Sequence, residues 1–253
     1  MNNSQIRLLQ LAKEAATDAG DLLISEFSND SIVRSEKGKD IKTEADLAAE
    51  AVIVSKLEST NIPIVSEEQY SSCDLNLFNL SHYQWIIDPL DGTLNFTRGF
   101  PFASVSIALW RNAIPILGVI YDLESRSVWS GYIGQGSFLN DSPIYVSDEC
   151  RLDQSIIASG IPSGSIFDAT QLQLIQRYVQ SFKKIRMLGC ASLMLAQVAA
   201  GRFDAYEENN IYIWDVAAGL ALVAAAGGTY RLQPGLSSVQ YKVTATNGKL
   251  NLF

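Results

Sequence analysis

Apolar residues recur at intervals of three and four along the first 27 residues of the chain. They are Leu8, Leu11, Ala12, Ala15, Ala19, Leu22 and Leu23. This period predicts an amphipathic helix from Ile6 to Phe27. A second helix is predicted to begin after Thr43, because Asp46 stands three residues later as in a capping box, and to run through Leu57.

Short apolar runs predict strands in the middle of the chain. One run, Ile62 to Ser66, ends at two glutamates, and another, Trp85 to Ile87, ends at Asp88. The second strand is expected to stop there because Pro89 cannot donate a hydrogen bond to a ladder. Alternating apolar and polar residues then predict three antiparallel strands, over residues 102–110, 115–121 and 127–132.

The second half of the chain alternates predicted strands and helices. The strands cover residues 156–158, 185–188, 203–206 and 229–232, and the helices cover 169–182, 192–200 and 216–226. This alternation is typical of an α/β fold. We therefore expect two packed subdomains in the 253 residues, an α+β unit over 1–145 and an α/β unit over 146–253.

Composition restricts the class of partner. The chain has 27 acidic and 19 basic residues and a formal charge of -8. This is the wrong sign for a surface that neutralises a phosphate backbone, so no nucleic-acid partner is expected. An acidic protein can still bind an anionic substrate when a divalent cation lies between its carboxylates and the phosphate.

The sequence also bears on the compartment. The cysteines form no CxxC pair and predict neither disulfides nor a zinc site; they are Cys73, Cys150 and Cys190. Charged residues interrupt the N-terminal apolar positions, which argues against a signal peptide. The run Val216 to Gly228 is shorter than the roughly 18 residues that span a bilayer. A cytoplasmic protein with no membrane partner is expected.

Histidine and cysteine chemistry are both disfavoured. His82 is the only histidine, and it lies in a polar stretch typical of a surface loop. A catalytic triad or a histidine zinc site would depend on this one residue. Cys190 is not followed by the arginine-ended anion loop of cysteine phosphatases and is predicted to be a small buried residue. Carboxylates remain as the candidates for catalysis.

The most informative carboxylates are Asp88 and Asp91. They lie three residues apart across Pro89, so both side chains and the Leu90 carbonyl can turn to one side and bind a hard cation. The amides of Gly92 and Thr93 follow and could hold a phosphate. The same residue types also occur in an ordinary turn between strands.

Three further acidic residues stand at predicted element ends: Asp46, Glu67 and Asp215. Each alone is also consistent with an acidic helix start or a solvated strand end. Together with Asp88 and Asp91 they could supply the ligands of two or three magnesium ions.

Two long motifs resemble the signatures of the inositol monophosphatase family. They are Asp88-Pro-Leu-Asp-Gly-Thr-Leu-Asn-Phe96 and Trp214-Asp-Val-Ala-Ala-Gly219. Shorter matches at residues 40–46, 66–68 and 204–208 follow the family's order, so the resemblance covers nearly the whole chain. It implies a layered αβαβα sandwich of two subdomains. It also implies a magnesium-dependent phosphomonoesterase that is lithium-sensitive, cytoplasmic and homodimeric.

The resemblance also implies roles for individual residues. Glu67, Asp88 and the Leu90 carbonyl would hold one magnesium ion. Asp88, Asp91 and Asp215 would hold a second, and a third, weaker ion would depend on Glu67. Thr93, paired with Asp46, would orient and deprotonate the attacking water, so that the catalytic set is Thr93, Asp46 and Glu67. The substrate contacts would be Asp91, Gly92, Thr93, Ala191 and Glu208.

The implied substrate is a small phosphate monoester, with inositol 1-phosphate as the main expectation. Ser66 replaces a usual glycine of the family, and Lys42 replaces an apolar residue. Residues 66–68 and 88–93 also resemble the 3'(2'),5'-bisphosphate nucleotidases. That activity, and hydrolysis of fructose 1,6-bisphosphate or histidinol phosphate, remain alternatives. A regulatory binding role is the non-enzymatic alternative.

Overall fold

The computed structural model describes residues 3–27, 33–37, 40–70, 82–161 and 169–252, so Cys73 lies outside the described residues. The long helices lie close to the predicted ones, whereas the four- and five-residue helices over 67–70 and 93–97 were not predicted from a period. The helices are α1 (Asn3–Leu22), α2 (Glu44–Leu57), α3 (Glu67–Tyr70), α4 (Thr93–Thr97), α5 (Ala169–Ser181), α6 (Ala191–Ala199) and α7 (Ile213–Ala225). The first predicted helix continues from α1 into a wider π-helical turn at Leu23–Phe27.

Within the described ranges the strands form three sheets. The two-stranded sheet pairs β1 (Val33–Lys37) with β2 (Asp40–Thr43). The seven-stranded sheet runs in chain order through β3 (Ile64–Ser66), β4 (Tyr83–Asp91), β5 (Ser104–Arg111), β6 (Ile114–Asp122), β7 (Ser127–Tyr132), β8 (Gly136–Leu139) and β9 (Ser142–Ile144). Only the β3–β4 pair among these neighbours is parallel.

The five-stranded sheet is built from the second half of the chain. Its strands are β10 (Ile156–Ala158), β11 (Lys184–Arg186), β12 (Ala205–Tyr212), β13 (Thr229–Pro234) and β14 (Gln240–Thr246), in the order β11-β10-β12-β14-β13. β10 pairs in parallel with both of its neighbours, whereas β14 is antiparallel to both of its own.

Helices and sheets alternate in five layers. Helices α1 and α2 cover one face of the seven-stranded sheet, where Ala12, Ile53 and Val119 share a core. Helices α6 and α7 lie between the two large sheets, and Ala218 of α7 is buried in that second core. Helix α5 covers the outer face of the five-stranded sheet through Tyr178. The arrangement confirms the predicted αβαβα sandwich, whose layers bury apolar faces on each other.

Close contact between α7 and the seven-stranded sheet requires a residue without a side chain. A Cβ built on Gly118 of β6 would lie 2.3 Å from the backbone oxygen of Ala218. The central helix can therefore pack directly on β6, which brings the first turn of α7 and the end of β4 into one region. The predicted division between residues 145 and 146 stays a prediction.

Several predicted strands differ from those observed. β4 does not stop at Asp88 but continues to Asp91, because a register shift between these residues forms a bulge that accommodates Pro89. The short strands β8 and β9 and the last strand, β14, were not predicted. Their segments contain glycine, proline or polar residues that weaken the alternation signal.

No helix in the described part of the chain is long and apolar enough to cross a bilayer.

Candidate active site

The end of β4 carries two buried carboxylates. Asp88 is 1% exposed, and its Oδ1 accepts a 3.0 Å hydrogen bond from the Leu90 amide. In the ladder with β5, Asp88 pairs with Ser106 and Asp91 pairs with Ser104. The bulge between them re-aims the strand end, as bulges beside functional sites often do.

Three carboxylates from different elements converge at this strand end. Oxygen atoms of Glu67, Asp88 and Asp215 all lie within 4.8 Å of one another. Glu67 is the first residue of α3, directly after β3, and Asp215 lies in the first turn of α7. The structure thus brings together three of the predicted metal ligands that are separated by up to 148 residues in the sequence.

The electrostatics of this cluster favour a cation. Burial raises the pKa of Asp88 well above its usual range, and the negative charge of Glu67 is the next largest cause. Burial also raises the pKa of Asp215 well above its usual range, and the Glu67 charge again adds to this effect. Buried carboxylates that repel one another are stabilised by a divalent ion, and an all-oxygen donor set suits magnesium or calcium. The residues present therefore fit the implied metal.

Asp91 lies beside the three-carboxylate cluster and is held from α6. Its Oδ2 accepts a 2.7 Å hydrogen bond from the Ser192 amide and one of 3.1 Å from the Cys190 thiol. The hydroxyls of Ser104 and Ser192 are 2.7 Å apart behind it. Burial raises the pKa of Asp91, and the bonds from Ser192 act in the opposite direction. This network fixes the Asp91 carboxylate against the start of α6.

Thr93 and Asp46 meet on the other side of the strand end. The Thr93 hydroxyl is 3.2 Å from Oδ1 of Asp46 and 3.0 Å from the Leu90 carbonyl oxygen, and either oxygen can accept its hydrogen bond. Oδ2 of Asp46 accepts hydrogen bonds from the Thr43 amide at 2.7 Å and from the Thr43 hydroxyl at 2.6 Å. The predicted capping box is confirmed, and it orients Asp46 towards Thr93.

Asp46 has a proton affinity suited to acid–base chemistry. Burial raises its pKa from 3.8 to about 6, while the hydrogen bonds from Thr43 lower it. A carboxylate with a pKa near 6 is mostly ionised at neutral pH and can still accept a proton with useful strength.

Gly92 and Asn95 join the strand end to the segment before α6. Gly92 has a φ of 87°, and a Cβ there would lie 3.0 Å from the Phe102 carbonyl oxygen and 3.2 Å from the Cβ of Cys190. The Asn95 side-chain amide donates to the carbonyl oxygens of Phe102 and Leu188 at 2.8 and 2.7 Å. Sequence reasoning missed the role of Asn95, although the residue stands inside the first motif.

Two predicted substrate contacts come from the second half of the chain. Ala191 is the first residue of α6 and lies next to Ser192, whose amide binds Asp91. Glu208 of β12 is 4% exposed, and burial raises its pKa from 4.5 to about 7. The charge of Asp91 adds to this rise, which indicates that Glu208 faces the same region.

The histidine and the cysteines were excluded as catalytic groups on sequence grounds. His82 is exposed directly before β4, and Cys150 is exposed. Cys190 is buried as predicted, but its thiol also donates to Asp91. The Ser104–Ser192 contact was not predicted, since no local spacing relates two residues that are 88 positions apart.

Comparisons with known proteins agree with the fold and the motifs. A family model described as the inositol monophosphatase family matches residues 5–248. Inositol monophosphatase 2 of Solanum lycopersicum is 34% identical over 251 residues, which cover 96% of this chain and 94% of that protein. Nus factor SuhB of Escherichia coli K12 is 35% identical over 228 residues, which cover 87% and 83% of the two chains.

A solved structure shows the same likeness. Inositol monophosphatase from Anabaena (Nostoc) sp. PCC 7120 superposes with a TM-score of 0.79 at 32% identity, covering 98% of this chain and 93% of that one. The family match and the αβαβα layers identify a phosphatase whose buried acidic cluster offers ligands for a metal ion. The chain belongs to the inositol monophosphatase family.

Proposed function

We propose that this phosphatase hydrolyses a small phosphate monoester with magnesium as its metal, and that inositol 1-phosphate is its main substrate. The observation that carries the proposal is the cluster of Glu67, Asp88 and Asp215, whose oxygen atoms lie within 4.8 Å of one another. The hydrogen-bonded pair of Thr93 and Asp46 flanks the same strand end. Together they provide a cation site and a proton acceptor.

The proposed metal-holding residues are those that the family resemblance implies. Glu67, Asp88 and the Leu90 carbonyl would hold one ion, and Asp88, Asp91 and Asp215 a second; a third would depend on Glu67. When bound, magnesium would neutralise the phosphate charge, make the attacking water more acidic and stabilise the leaving oxygen. The fixed position of Asp91 against the Ser192 amide supports its place at the edge of this set.

Thr93 and Asp46 would move the proton. Water attacks phosphorus in line with the leaving oxygen, its proton passes to the Thr93 hydroxyl, and the Thr93 proton passes to Oδ1 of Asp46. The bond from phosphorus to the leaving oxygen breaks as the new bond forms. The leaving alkoxide takes a proton from a second water, and Asp46 returns its own to solvent. The raised pKa of Asp46, about 6, suits this exchange near neutral pH.

The remaining predicted residues would bind the substrate. The amides of Gly92 and Thr93 would hold the phosphate group, since the left-handed backbone at Gly92 turns the chain into α4 beside the acidic cluster. Asp91, the Ala191 backbone and Glu208 would contact hydroxyl groups of the leaving alcohol. A polyol such as inositol offers several such hydroxyls to these acceptors.

Phosphate release from four substrates tests this proposal. The substrates are inositol 1-phosphate, 3'-phosphoadenosine 5'-phosphate, fructose 1,6-bisphosphate and histidinol phosphate, each assayed with magnesium and after chelation. We expect chelator-sensitive hydrolysis with the highest kcat/KM for inositol 1-phosphate. A higher kcat/KM for any other substrate would contradict the substrate assignment, and hydrolysis that survives chelation would contradict the metal.

Asp88→Asn is the matching variant, because it removes a shared ligand while keeping the side-chain shape. We expect turnover to fall by about a thousandfold or more. Asp153→Asn is the control, since Asp153 forms an exposed ion pair with Arg151 on the surface. A folded Asp88→Asn protein with undiminished activity would contradict the proposal.

A regulatory role is the second candidate, and the name of one relative favours it. The Escherichia coli protein at 35% identity is called a Nus factor. If this chain has such a role apart from catalysis, Asp88→Asn should keep its cellular function while losing turnover. Loss of both together would argue against that role.

A homodimeric assembly and a cytoplasmic location also belong to the proposal. Sedimentation tests the assembly, and cell fractionation tests the location.

A further inference from the structure

Glu208 is held by a tyrosine on its own strand. The side chains of Tyr206 and Glu208 lie on one face of β12, because side chains two residues apart point the same way in a strand. The Tyr206 hydroxyl donates a 2.7 Å hydrogen bond to Oε2 of Glu208. Tyr206 is fully buried, and a buried tyrosine hydroxyl requires such a partner. The bond therefore fixes one oxygen of the carboxylate.

A glycine also faces this carboxylate. A Cβ built on Gly160 would lie 2.2 Å from Oε2 of Glu208 and 2.6 Å from both its Cδ and its Oε1. No real Cβ atom approaches another atom so closely, so any side chain at position 160 would displace Glu208.

Gly160 cannot easily move away from Glu208. The preceding residue, Ser159, donates from its hydroxyl to the Glu207 carbonyl oxygen at 2.7 Å and from its amide to the Arg186 carbonyl oxygen at 2.9 Å. These bonds tie the end of β10 to both neighbouring strands. Position 160 is thus fixed against the Glu208 carboxylate, and the side chain rather than the backbone would have to yield.

The position of this carboxylate matters because it faces the acidic site. The charge of Asp91 raises the pKa of Glu208, and the charge of Glu208 in turn contributes to the raised pKa of Asp215. A hydrogen bond to a substrate hydroxyl depends on an oxygen placed to within a few tenths of an ångström. A displaced Glu208 would lose that bond while the metal ligands stay in place.

We propose that Tyr206 and Gly160 are specificity-determining positioning residues. Tyr206 holds the Glu208 carboxylate by a hydrogen bond, and Gly160 leaves the space that the carboxylate needs. In this position Glu208 accepts a hydrogen bond from a hydroxyl of the leaving alcohol, so the enzyme favours polyol phosphates over esters without such hydroxyls. The inference rests on the proposed function and extends it to two residues that do not touch the substrate.

The test compares two substrates in two variants. Tyr206→Phe removes only the hydroxyl and keeps the buried ring, and Gly160→Ala inserts the displacing Cβ. Inositol 1-phosphate has free hydroxyls on its leaving group, whereas phenyl phosphate has none. For inositol 1-phosphate we expect KM to rise about fivefold in Tyr206→Phe and about tenfold or more in Gly160→Ala. The rise should exceed that for phenyl phosphate by at least about threefold in each variant.

A matched control and a double-mutant cycle separate positioning from a general structural effect. Tyr121→Phe is the control, because Tyr121 is also a buried tyrosine that donates a 2.7 Å hydrogen bond to a carboxylate, Asp21, but lies in the core beneath α1. It should leave both KM values unchanged. In a Glu208→Ala background, neither Tyr206→Phe nor Gly160→Ala should raise KM further, since each acts through Glu208.

Calorimetric binding of inositol 1-phosphate, measured beside turnover, distinguishes two kinds of failure. Equal losses on both substrates, or effects that persist without Glu208, would overturn the positioning role. A wild-type protein that binds inositol 1-phosphate without hydrolysing it would refute the proposed function alone, and the variants' binding constants would then decide the positioning role. A wild-type protein that neither binds nor hydrolyses it would overturn both.

Discussion

The hydroxyl of Thr93 lies 3.2 Å from Oδ1 of Asp46, across 47 residues of sequence. This contact joins the turn that follows β4 to the first turn of α2. The other oxygen of Asp46 is held by the Thr43 amide and hydroxyl, so a helix-capping interaction also orients a candidate proton acceptor. Local helix formation and the chemistry of the site therefore share one carboxylate.

Removal of the Thr93 hydroxyl should reduce turnover strongly. Thr93→Ala breaks the proton path to Asp46, and we expect kcat to fall by about a hundredfold to a thousandfold. Steady-state kinetics on inositol 1-phosphate measure the effect. Thr97→Ala is the control, because Thr97 ends the same short helix and its hydroxyl bonds only to a local carbonyl, that of Leu94. A kcat reduced equally in both variants would contradict the proton-transfer role.

Loss of the helix cap should affect both stability and catalysis. Thr43→Ala removes the side-chain half of the capping box, and we expect the free energy of unfolding to fall by about 0.5–2 kcal/mol. Because Asp46 also loses a hydrogen bond at Oδ2, kcat should fall by about tenfold. Urea unfolding and steady-state kinetics measure the two effects. A stability loss with no change in kcat would show that the cap does not orient Asp46.

Local features of the fold were predictable from sequence, and long-range ones were not. The capping box of Thr43 and Asp46 follows from a spacing of three residues, and helical periods located α1 and α7. In contrast, the continuation of β4 past Pro89 depends on pairing between Asp91 and Ser104 in another strand. No local pattern reports such pairing, so the sequence favoured a strand that stops at the proline.

In the candidate site, too, local features were predictable from the sequence and long-range contacts were not. Glu67, Asp88 and Asp215 stand at the ends of predicted strands and helices, which indicated a functional role for their carboxylates. The structure brings these three together. The bonds that fix Asp91 come from Cys190 and Ser192, about a hundred positions away. Their identity depends on how α6 packs against the strand end, which neither composition nor spacing specifies.

The buried Glu208 should make the metal-free protein less stable as the pH rises. Its pKa is raised from 4.5 to about 7, so between these values the folded state keeps a proton that the unfolded state has lost. Its contribution to stability is full below pH 4.5 and is lost as the pH rises through 7. At about 1.4 kcal/mol per pKa unit the loss amounts to about 3 kcal/mol.

The difference between wild type and Glu208→Gln isolates this contribution. Other buried carboxylates titrate in both proteins, whereas the amide does not titrate. Urea unfolding in chelator from pH 4.5 to 8 should show wild-type stability falling relative to the variant by about 3 kcal/mol. A difference that is independent of pH would show that Glu208 has an ordinary pKa.

Neutralising Asp88 should stabilise the metal-free protein and abolish stabilisation by metal. Asp88→Asn removes a buried charge that repels Glu67 and Asp215, so at pH 8 in chelator we expect a gain of about 1–3 kcal/mol. Magnesium at a hundred times its Kd should stabilise the wild type by about 2.7 kcal/mol. In the variant that increment should disappear, and thermal unfolding measures both effects. An unchanged magnesium increment would place the metal elsewhere.

The most direct test of the account is hydrolysis of inositol 1-phosphate by the wild-type protein as a function of magnesium concentration. We predict no turnover above background in excess chelator and saturable activation as magnesium is added, by about a hundredfold or more. Hydrolysis that proceeds at its full rate in excess chelator would contradict the claim that the carboxylates around Asp88 hold a catalytic metal.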